Sequence, residues 1–314
     1  MSIRILALLT PVALLASVYF WYTGTDPIIS SRGWTWEVAA DNLPEVAGIW
    51  QEEDGSLLVT QDGPWQQCKL LHIGTDDSRT VILDNLSEPD AVQRHAMGLI
   101  VSEEQGDLGA SLVVGNSKHQ LVSLNNAEGF TVSPNGQYLL VAEDCDDCRI
   151  MRVDLRSGEQ LALASNLANP EGVCMLGDTV YFTEKGRGNF WRVALNGGEP
   201  ELLSDTLNHP SALACDNQQQ VVWIGEESVS FGRIQRYSDG KYEVVARLLG
   251  EPQEIHVIEG GILVAEMRRA RILRITRTGK VDQTPPADRV VSTHSRVNTT
   301  SPATLPSNVL IRNP

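Results

Sequence analysis

Several features that would assign a function directly are scarce or missing in this chain of 314 residues. It has five cysteines, an odd and widely spaced set that does not form the dense disulfide framework of a small secreted domain. The motifs of P-loop proteins, Rossmann folds and α/β-hydrolases are absent. Lysine and arginine number 25 against 40 aspartate and glutamate, which gives a net charge of −15. Because so acidic a surface repels phosphate backbones, we expect no nucleic-acid partner; cations and basic partners are favoured.

Two of the cysteines, Cys145 and Cys148, form a C-x-x-C pair within an acidic run. In an oxidising compartment this pair predicts a local disulfide; a redox or zinc site is the alternative, although no second cysteine pair or histidine cluster supports it. Cys174 and Cys215 lie within apolar strand patterns, and we expect them to be inert residues of the core.

Long apolar runs are also missing, with one exception at the N-terminus. Residues 5–22 read ILALLTPVALLASVYFWY, behind the single positive charge of Arg4. The run is longer than the core of a cleaved signal peptide, ends in interface-type aromatic residues and lacks a small-x-small cleavage site. We therefore favour an uncleaved signal-anchor in residues 1–25 over a cleaved signal peptide. Arg4 on the short side predicts that the rest of the chain lies outside the cytoplasm, in a bacterium in the periplasm.

The remainder of the chain is dominated by a repeat rather than by helical periodicity. Six segments begin with a proline, or an alanine in one case, followed by a short apolar strand. The spacings of 45, 38, 43, 40 and 42 residues suit one four-stranded propeller blade per repeat. Within each unit, a polar turn, a second apolar strand, a charged alternating strand and a returning strand follow. The repeated positions are Pro44, Pro89, Ala127, Pro170, Pro210 and Pro252.

The two ends of the repeat array complement each other. The sixth unit stops after its third strand, whereas residues 33–42 match the fourth-strand pattern before the first unit. The sequence thus predicts an all-β fold, a six-bladed β-propeller in residues 33–282 whose N-terminal strand closes the last blade, preceded by one hydrophobic anchor helix. An open β-sandwich is the alternative. Residues 283–314, rich in serine, threonine and proline, predict a disordered tail.

Acidic residues recur at the loops that open on one face of such a propeller. They follow the repeated proline and also end the second strands; for the latter set a structural role is the favoured interpretation. Converging carboxylates repel one another, and Ca²⁺ or another divalent cation neutralises them most simply. We expect metal ligands among Glu45, Glu128 and Glu171. Glu254 and His256, two residues apart on the first strand of blade six, are candidate catalytic residues, although a strand histidine is more often part of the core.

Two segments carry a resemblance to a known superfamily: NPEGVCMLGDTVYFTEKGRGNFWRVALNGG from Asn169 and TVSPNGQYLLVAEDCDDCRIMRVDLRSGE from Thr131. They resemble six-bladed propellers of the senescence-marker/gluconolactonase, strictosidine-synthase-like and NHL-repeat families. The gluconolactonase resemblance implies a divalent metal, often calcium, held by a Glu, an Asn and an Asp at blade starts; Glu45 and Glu171 match the Glu-type ligand, and Glu128 aligns in an Ala-Glu-Gly setting. The chain departs from this pattern at Ser211 and lacks a P-N-G or P-D-G blade start.

These observations lead to two hypotheses. The first is a membrane-anchored, extracytoplasmic, metal-dependent hydrolase that acts on a small lactone or other ester at the acidic channel mouth. The second is a non-catalytic propeller of the cell envelope that binds a protein or small ligand there. The sequence alone leaves open whether the chain is an enzyme.

Overall fold

The computed structural model describes residues 26–63, 68–104, 109–115 and 117–278. These residues form 25 strands in six antiparallel sheets, and the only helical elements among them are short 3₁₀ turns at Lys185–Arg187 and Met267–Arg269. In the described part of the chain no helix is long and apolar enough to cross a membrane. The predicted anchor in residues 5–22 and the predicted tail in residues 283–314 lie outside the described residues.

The first three blades have four strands each. Blade 1 consists of β3 (Val46–Gln51), β4 (Leu57–Gln61), β5 (Lys69–Ile73) and β6 (Arg79–Leu83). Blade 2 consists of β7 (Pro89–His95), β8 (Gly98–Glu103), β9 (Gly109–Val114) and β10 (Ser117–Val122). Blade 3 consists of β11 (Ala127–Val132), β12 (Tyr138–Glu143), β13 (Asp146–Asp154) and β14 (Gln160–Ala168).

The last three blades include the two N-terminal strands. Blade 4 consists of β15 (Pro170–Leu176), β16 (Thr179–Glu184), β17 (Asn189–Ala194) and β18 (Glu201–Ser204). Blade 5 consists of β19 (Pro210–Asp216), β20 (Val221–Glu226), β21 (Gly232–Ser238) and β22 (Lys241–Leu249), with β1 (Ile29–Ser30) paired to the outer edge of β22. Blade 6 consists of β23 (Pro252–Ile258), β24 (Gly261–Glu266) and β25 (Arg271–Arg277), with β2 (Trp34–Ala40) paired to β25.

The six first strands contact one another in the closed order β3, β7, β11, β15, β19, β23 and back to β3. They therefore line a central channel, and the prediction of an all-β, six-bladed propeller is confirmed. At the N-terminus, Trp34 faces Arg277 and Val38 faces Leu273, so that β2 occupies the fourth-strand place of blade 6.

The core lies between neighbouring blades rather than at one centre. Strands rich in valine, isoleucine and leucine are buried on both faces, as expected for sheets packed between two others. Between blades 5 and 6, for example, the Trp34 and Trp223 rings meet edge to face with centroids 5.5 Å apart. Burying a side chain of the size of Phe182, which is fully inaccessible, contributes roughly 2–3 kcal/mol.

A buried glutamate ends the second strand of five blades and has a structural role. In blade 3, the Glu143 carboxylate accepts hydrogen bonds from Arg149 Nε and Nη2, both at 2.7 Å, and from the Asn125 backbone N–H at 3.1 Å. Each glutamate thereby ties the second strand to an adjacent basic or polar side chain, and in four of the blades also to the chain that arrives from the outer strand of the preceding blade. The structural interpretation of these acids is confirmed for Glu103, Glu143, Glu184, Glu226 and Glu266.

The cysteines only partly follow the expectations from sequence. Cys145 and Cys148 are joined in the predicted local disulfide. The expectation that Cys174 and Cys215 are inert core residues is wrong, because they form a second disulfide, with Cα atoms 5.5 Å apart. They lie on β15 and β19, the neighbouring first strands of blades 4 and 5, so the bond cross-links two blades beside the channel.

Candidate functional site

One mouth of the channel is built by a backbone irregularity repeated in every blade. In each blade, the pairing of the first strand with the second strand shifts register between the first and the fourth residue of the first strand. Examples are the shifts between Pro89 and Val92 and between Pro170 and Val173. Such a bulge re-aims a side chain that would otherwise alternate across the sheet. As a result, the second residue of several first strands lines a small cavity in the channel, namely Asp90, Glu128, Glu171, Ser211 and Gln253.

A second set of side chains comes from the residue after each second strand. In blade 2 the Glu104 backbone N–H donates to Glu88 O at 3.0 Å, and in blade 4 the Lys185 N–H donates to Asn169 O at 2.9 Å. Equivalent hydrogen bonds fix this position in all six blades. The mouth thereby gains a second set of polar groups in five of the blades: Asp62, Glu104, Asp144, Lys185 and Glu227.

Three carboxylates converge where blades 2 and 3 meet at the mouth. Asp90, Glu104 and Glu128 each offer one carboxylate oxygen, and these oxygens all lie within 4.8 Å of one another. Glu128 Oε2 is buried and has no hydrogen-bond partner. An all-oxygen donor set with an unsatisfied buried oxygen fits a hard divalent cation such as Ca²⁺, Mg²⁺ or Mn²⁺.

The electrostatics of this acidic trio favour protonation when no cation is bound. Burial, followed by the charge of Asp62, raises the pKa of Asp90 to about 7. Burial, followed by the charge of Asp90, raises the pKa of Glu104 to about 9. The same two causes raise the pKa of Glu128 well above its ordinary value. The three groups thus hold protons near neutral pH that a cation would displace.

On the other side of the mouth, a lysine neutralises part of the acidic charge. Lys185 Nζ lies 2.6 Å from Glu171 Oε1 and 2.6 Å from Glu227 Oε2. Burial opposes the ammonium charge, but the two carboxylates raise the pKa of Lys185 above its ordinary value. Burial raises the pKa of Glu171 to about 8 in spite of the lysine. The ammonium group therefore occupies the space between two acids that a cation would otherwise bridge.

The predicted catalytic residues lie further along the channel. Glu254 borders the mouth cavity and also a second cavity of about 260 Å³ toward the opposite face, and burial raises its pKa well above the ordinary value. His256 lines only the second cavity, where its ring meets that of Trp50 with centroids 4.8 Å apart. Burial lowers the pKa of His256 to about 4. The structure thus does not bring His256 together with the acidic trio.

The three predicted metal ligands do not occupy equivalent positions. Glu128 belongs to the trio, and Glu171 lines the same cavity but is paired with Lys185. Glu45 is exposed. The first strand of blade 1 begins two residues later than the repeat pattern predicts, so Glu45 does not hold the position that Glu128 and Glu171 hold in blades 3 and 4. Val46 pairs with Gln61 as Pro89 pairs with Glu103. Ala47 therefore holds the inner position of blade 1, and the alignment of Glu45 with Glu128 and Glu171 was wrong.

Sequence reasoning did not select three of the residues that shape this mouth. Asp90 carried a signal, because it follows the repeated proline, but Glu104 and Lys185 lie one residue beyond the acids that end their strands. The strand-ending glutamate turns into the blade, so the next residue is the one that reaches the mouth.

The fold has many solved counterparts, although no protein-family profile and no curated protein sequence matches the chain. A protein assigned as a gluconolactonase matches with a TM-score of 0.63 at 12% identity, over 80% of this chain and 94% of that chain. Regucalcin from Agrobacterium tumefaciens, described as a calcium-binding protein, matches with a TM-score of 0.60 at 14% identity, over 76% and 92%. Virginiamycin B lyase from Staphylococcus aureus matches with a TM-score of 0.57 at 15% identity, over 77% and 99%.

The fold is that of a six-bladed β-propeller. At these identities the likeness establishes the architecture of the chain and leaves its chemistry to the residues at the mouth.

Proposed function

We propose that this protein is a hydrolase of lactones or related esters that depends on a divalent cation bound at the acidic mouth. The observation that carries the proposal is the trio Asp90, Glu104 and Glu128, whose carboxylate oxygens lie within 4.8 Å of one another. Like charges so close are stable only when they share protons or a cation. The names of two structural neighbours, a gluconolactonase and a calcium-binding regucalcin, support the same chemistry.

The trio would hold the cation, and the chain's other groups would serve the substrate. A cation bound there would polarise the substrate carbonyl and lower the pKa of a water molecule. Glu171, with its pKa of about 8, is ionised at mildly alkaline pH, where Lys185 at 2.6 Å stabilises the carboxylate that would accept a proton from the attacking water. Ser211 is not placed as a nucleophile, because its hydroxyl donates to Pro252 O at 3.2 Å.

Hydrolysis assays with the full chain in detergent test this proposal. Aliphatic lactones and aryl esters would be offered with Ca²⁺, Mg²⁺ or Mn²⁺ and with a chelator. We expect cation-dependent turnover that falls at least about a hundredfold in Glu128→Gln and Asp90→Asn, since both remove a ligand charge. Glu159→Gln, an exposed acid outside the mouth, is the matched control. Turnover that the chelator and both substitutions leave unchanged would exclude a cation at the trio.

We also propose that the propeller is held outside the cytoplasm by residues 5–22. The apolar run behind Arg4 supports the anchor. The disulfide between Cys174 and Cys215 supports an oxidising compartment, because such bonds are rare in reducing cytosol. A membrane-impermeant protease added to intact cells or spheroplasts should digest the propeller; protection until lysis would contradict the proposal.

Ring closure by the N-terminal segment belongs to the same proposal. The pairing of β2 with β25 supports it, since without β2 the Arg271–Arg277 strand would present an open sheet edge. Deletion of residues 34–40 should therefore cause aggregation, measured by size-exclusion chromatography, and a monomeric, folded deletion variant would contradict closure.

A second candidate function is a non-catalytic propeller that binds a cell-envelope protein or a small ligand at the mouth. One observation favours it: Lys185 already supplies a cation to Glu171 and Glu227. On this account, Glu171→Gln and Glu254→Gln abolish capture of the partner and no ester turnover is found with any cation.

A further inference from the structure

The N-terminal segment reaches the propeller from the same side as the acidic mouth. β1 runs antiparallel to β22, with Ile29 opposite Arg247 and Ser30 opposite Ala246. Because β22 ends at the mouth face, the residues before β1 lie toward that face. Asp26 confirms this, since its carboxylate pairs with Arg271, the first residue of a strand that begins at the mouth.

The connection to the predicted anchor is too short for the opposite face of the propeller to meet the bilayer. Four peptide units separate Tyr22, the last residue of the apolar run, from Asp26, and fully extended they span at most about 14 Å. A seven-residue first strand such as Pro89–His95 makes the propeller about 23 Å deep. If the opposite face met the bilayer, Asp26 would lie beyond the reach of this connection. The short spacer therefore brings the mouth face, or its blade 5 and 6 corner, against the membrane.

The same corner carries the most exposed aromatic side chain of the described residues. Val229 and Phe231 are 53% and 61% exposed, in the loop that joins β20 to β21 at the mouth side of blade 5. The corresponding loops of blades 4 and 6 are the cationic turns Lys185–Arg187 and Met267–Arg269. Exposed apolar side chains beside a tether are typical of a segment that dips into the membrane interface.

The charge of this face indicates which lipids it contacts. The rim arginines Arg187 and Arg233 are partly exposed but already paired with Glu184 and Glu226, which leaves Arg268 as the exposed arginine of these three loops without an ion pair among the described residues. The mouth itself is acidic, and an anionic lipid surface would repel it. A zwitterionic phospholipid surface is the complementary partner.

We propose that the mouth face lies against the bilayer, with Val229 and Phe231 immersed in its interface, so that the candidate site draws its substrate or ligand from the membrane. This proposal rests on the anchor in residues 5–22. It does not depend on the chemistry at the trio, since loss of hydrolysis in the ligand variants would leave the orientation unchanged.

Spin labels on the full chain in phosphatidylcholine vesicles test the orientation. Labels would be placed at Val229→Cys or Phe231→Cys and, as the matched control, at Gln219→Cys, an exposed turn residue on the opposite face. Collision rates with oxygen and with a water-soluble nickel chelate give the depth of each label. Flotation of the vesicles shows in the same sample whether the chain is anchored.

We expect both mouth labels to lie about 5–10 Å below the phosphate level and the control label to be fully aqueous. Aqueous labels at both faces of a chain that floats would overturn the orientation while leaving the anchor intact, and protection of the mouth label only in native membranes would assign the face to a protein partner instead. An immersed Gln219 label would reverse the orientation. A chain that does not float would overturn the orientation together with the anchor.

Discussion

Replacing Glu128 with glutamine should stabilise the cation-free protein at alkaline pH. Glutamine keeps the shape of the side chain and its capacity for hydrogen bonding, but it cannot ionise. In the wild type, Glu128 shares the mouth with Asp90 and Glu104, and its pKa is raised well above the ordinary value by burial and by Asp90. The folded state therefore holds a proton that the unfolded state has lost above about pH 4.5, and stability falls as pH rises through this window.

The magnitude follows from the separation of the charges. Two carboxylates at 4.8 Å repel by about 3.5 kcal/mol at an effective dielectric constant of 20. Keeping the proton instead costs about 1.4 kcal/mol for each pH unit above the unfolded pKa, or about 5 kcal/mol at pH 8. Solvent in the channel screens part of either cost, so we expect Glu128→Gln to stabilise the cation-free protein by about 2 kcal/mol at pH 8. Near pH 4 the wild-type glutamate is protonated in both states, and the difference should vanish.

Thermal unfolding at pH 4.5 and pH 8, with chelator and with saturating Ca²⁺, measures this directly. At pH 8 with chelator, the melting temperature of the variant should exceed that of the wild type by about 5 °C. With Ca²⁺ the order should reverse, because the wild type alone keeps the full donor set. Glu159→Gln is the exposed control. Equal destabilisation at both pH values would show that Glu128 is a structural hydrogen-bonding group and would refute the reasoning.

Three further predictions concern the rest of the molecule. Glu266→Ala should destabilise the fold by about 3–5 kcal/mol in urea, since it leaves buried basic groups without their carboxylate, and a loss under 1 kcal/mol would contradict the structural role. Removing the blade-linking disulfide with Cys174→Ala and Cys215→Ala should cost about 3–4 kcal/mol and leave only the smaller effect of reductant on the local Cys145–Cys148 bond; a reductant effect as large as that on the wild type would show that the blade-linking bond does not stabilise the fold. Lys185→Met should raise the pKa of Glu171 further, so that any pH profile of activity shifts to more alkaline pH; an unshifted profile would show that Glu171 is not the group that titrates.

The architecture could be predicted from the sequence because the same residue types recur at equivalent positions of the repeat. A proline at or just before the start of five of the six first strands and a glutamate at the end of five of the six second strands mark the blades, even where overall identity to known propellers is 12–15%. Blade 1 shows the limit of this reasoning. Pro44 stands two residues before the position of the other prolines, and only the pairing of Val46 with Gln61 reveals the shift.

The site was harder to predict from the sequence. Its residues come together because of the direction in which their side chains point, and their spacing along the chain does not show this direction. The bulge in the first strand decides that Asp90 and Glu128 point into the channel, and the small residue that follows them, Ala91 or Gly129, is too common in strands and turns to mark a bulge by itself. The pairing of Cys174 with Cys215 is hidden for the same reason, since the two lie 41 residues apart on neighbouring blades. His256 shows the opposite error. Its spacing from Glu254 along β23 predicted that the two side chains act together at the mouth, but the His256 ring lies beside Trp50, further along the channel.

Calorimetric titration of the purified chain with Ca²⁺ at pH 6 and pH 8, in two buffers of different ionisation enthalpy, tests the cation site most directly. Binding must displace the protons of the acidic trio, so the account predicts tighter binding at pH 8, with release of about one to two protons per ion, and loss of binding in Glu128→Gln. Binding that is equally strong at both pH values without proton release, or that survives the substitution, would contradict it.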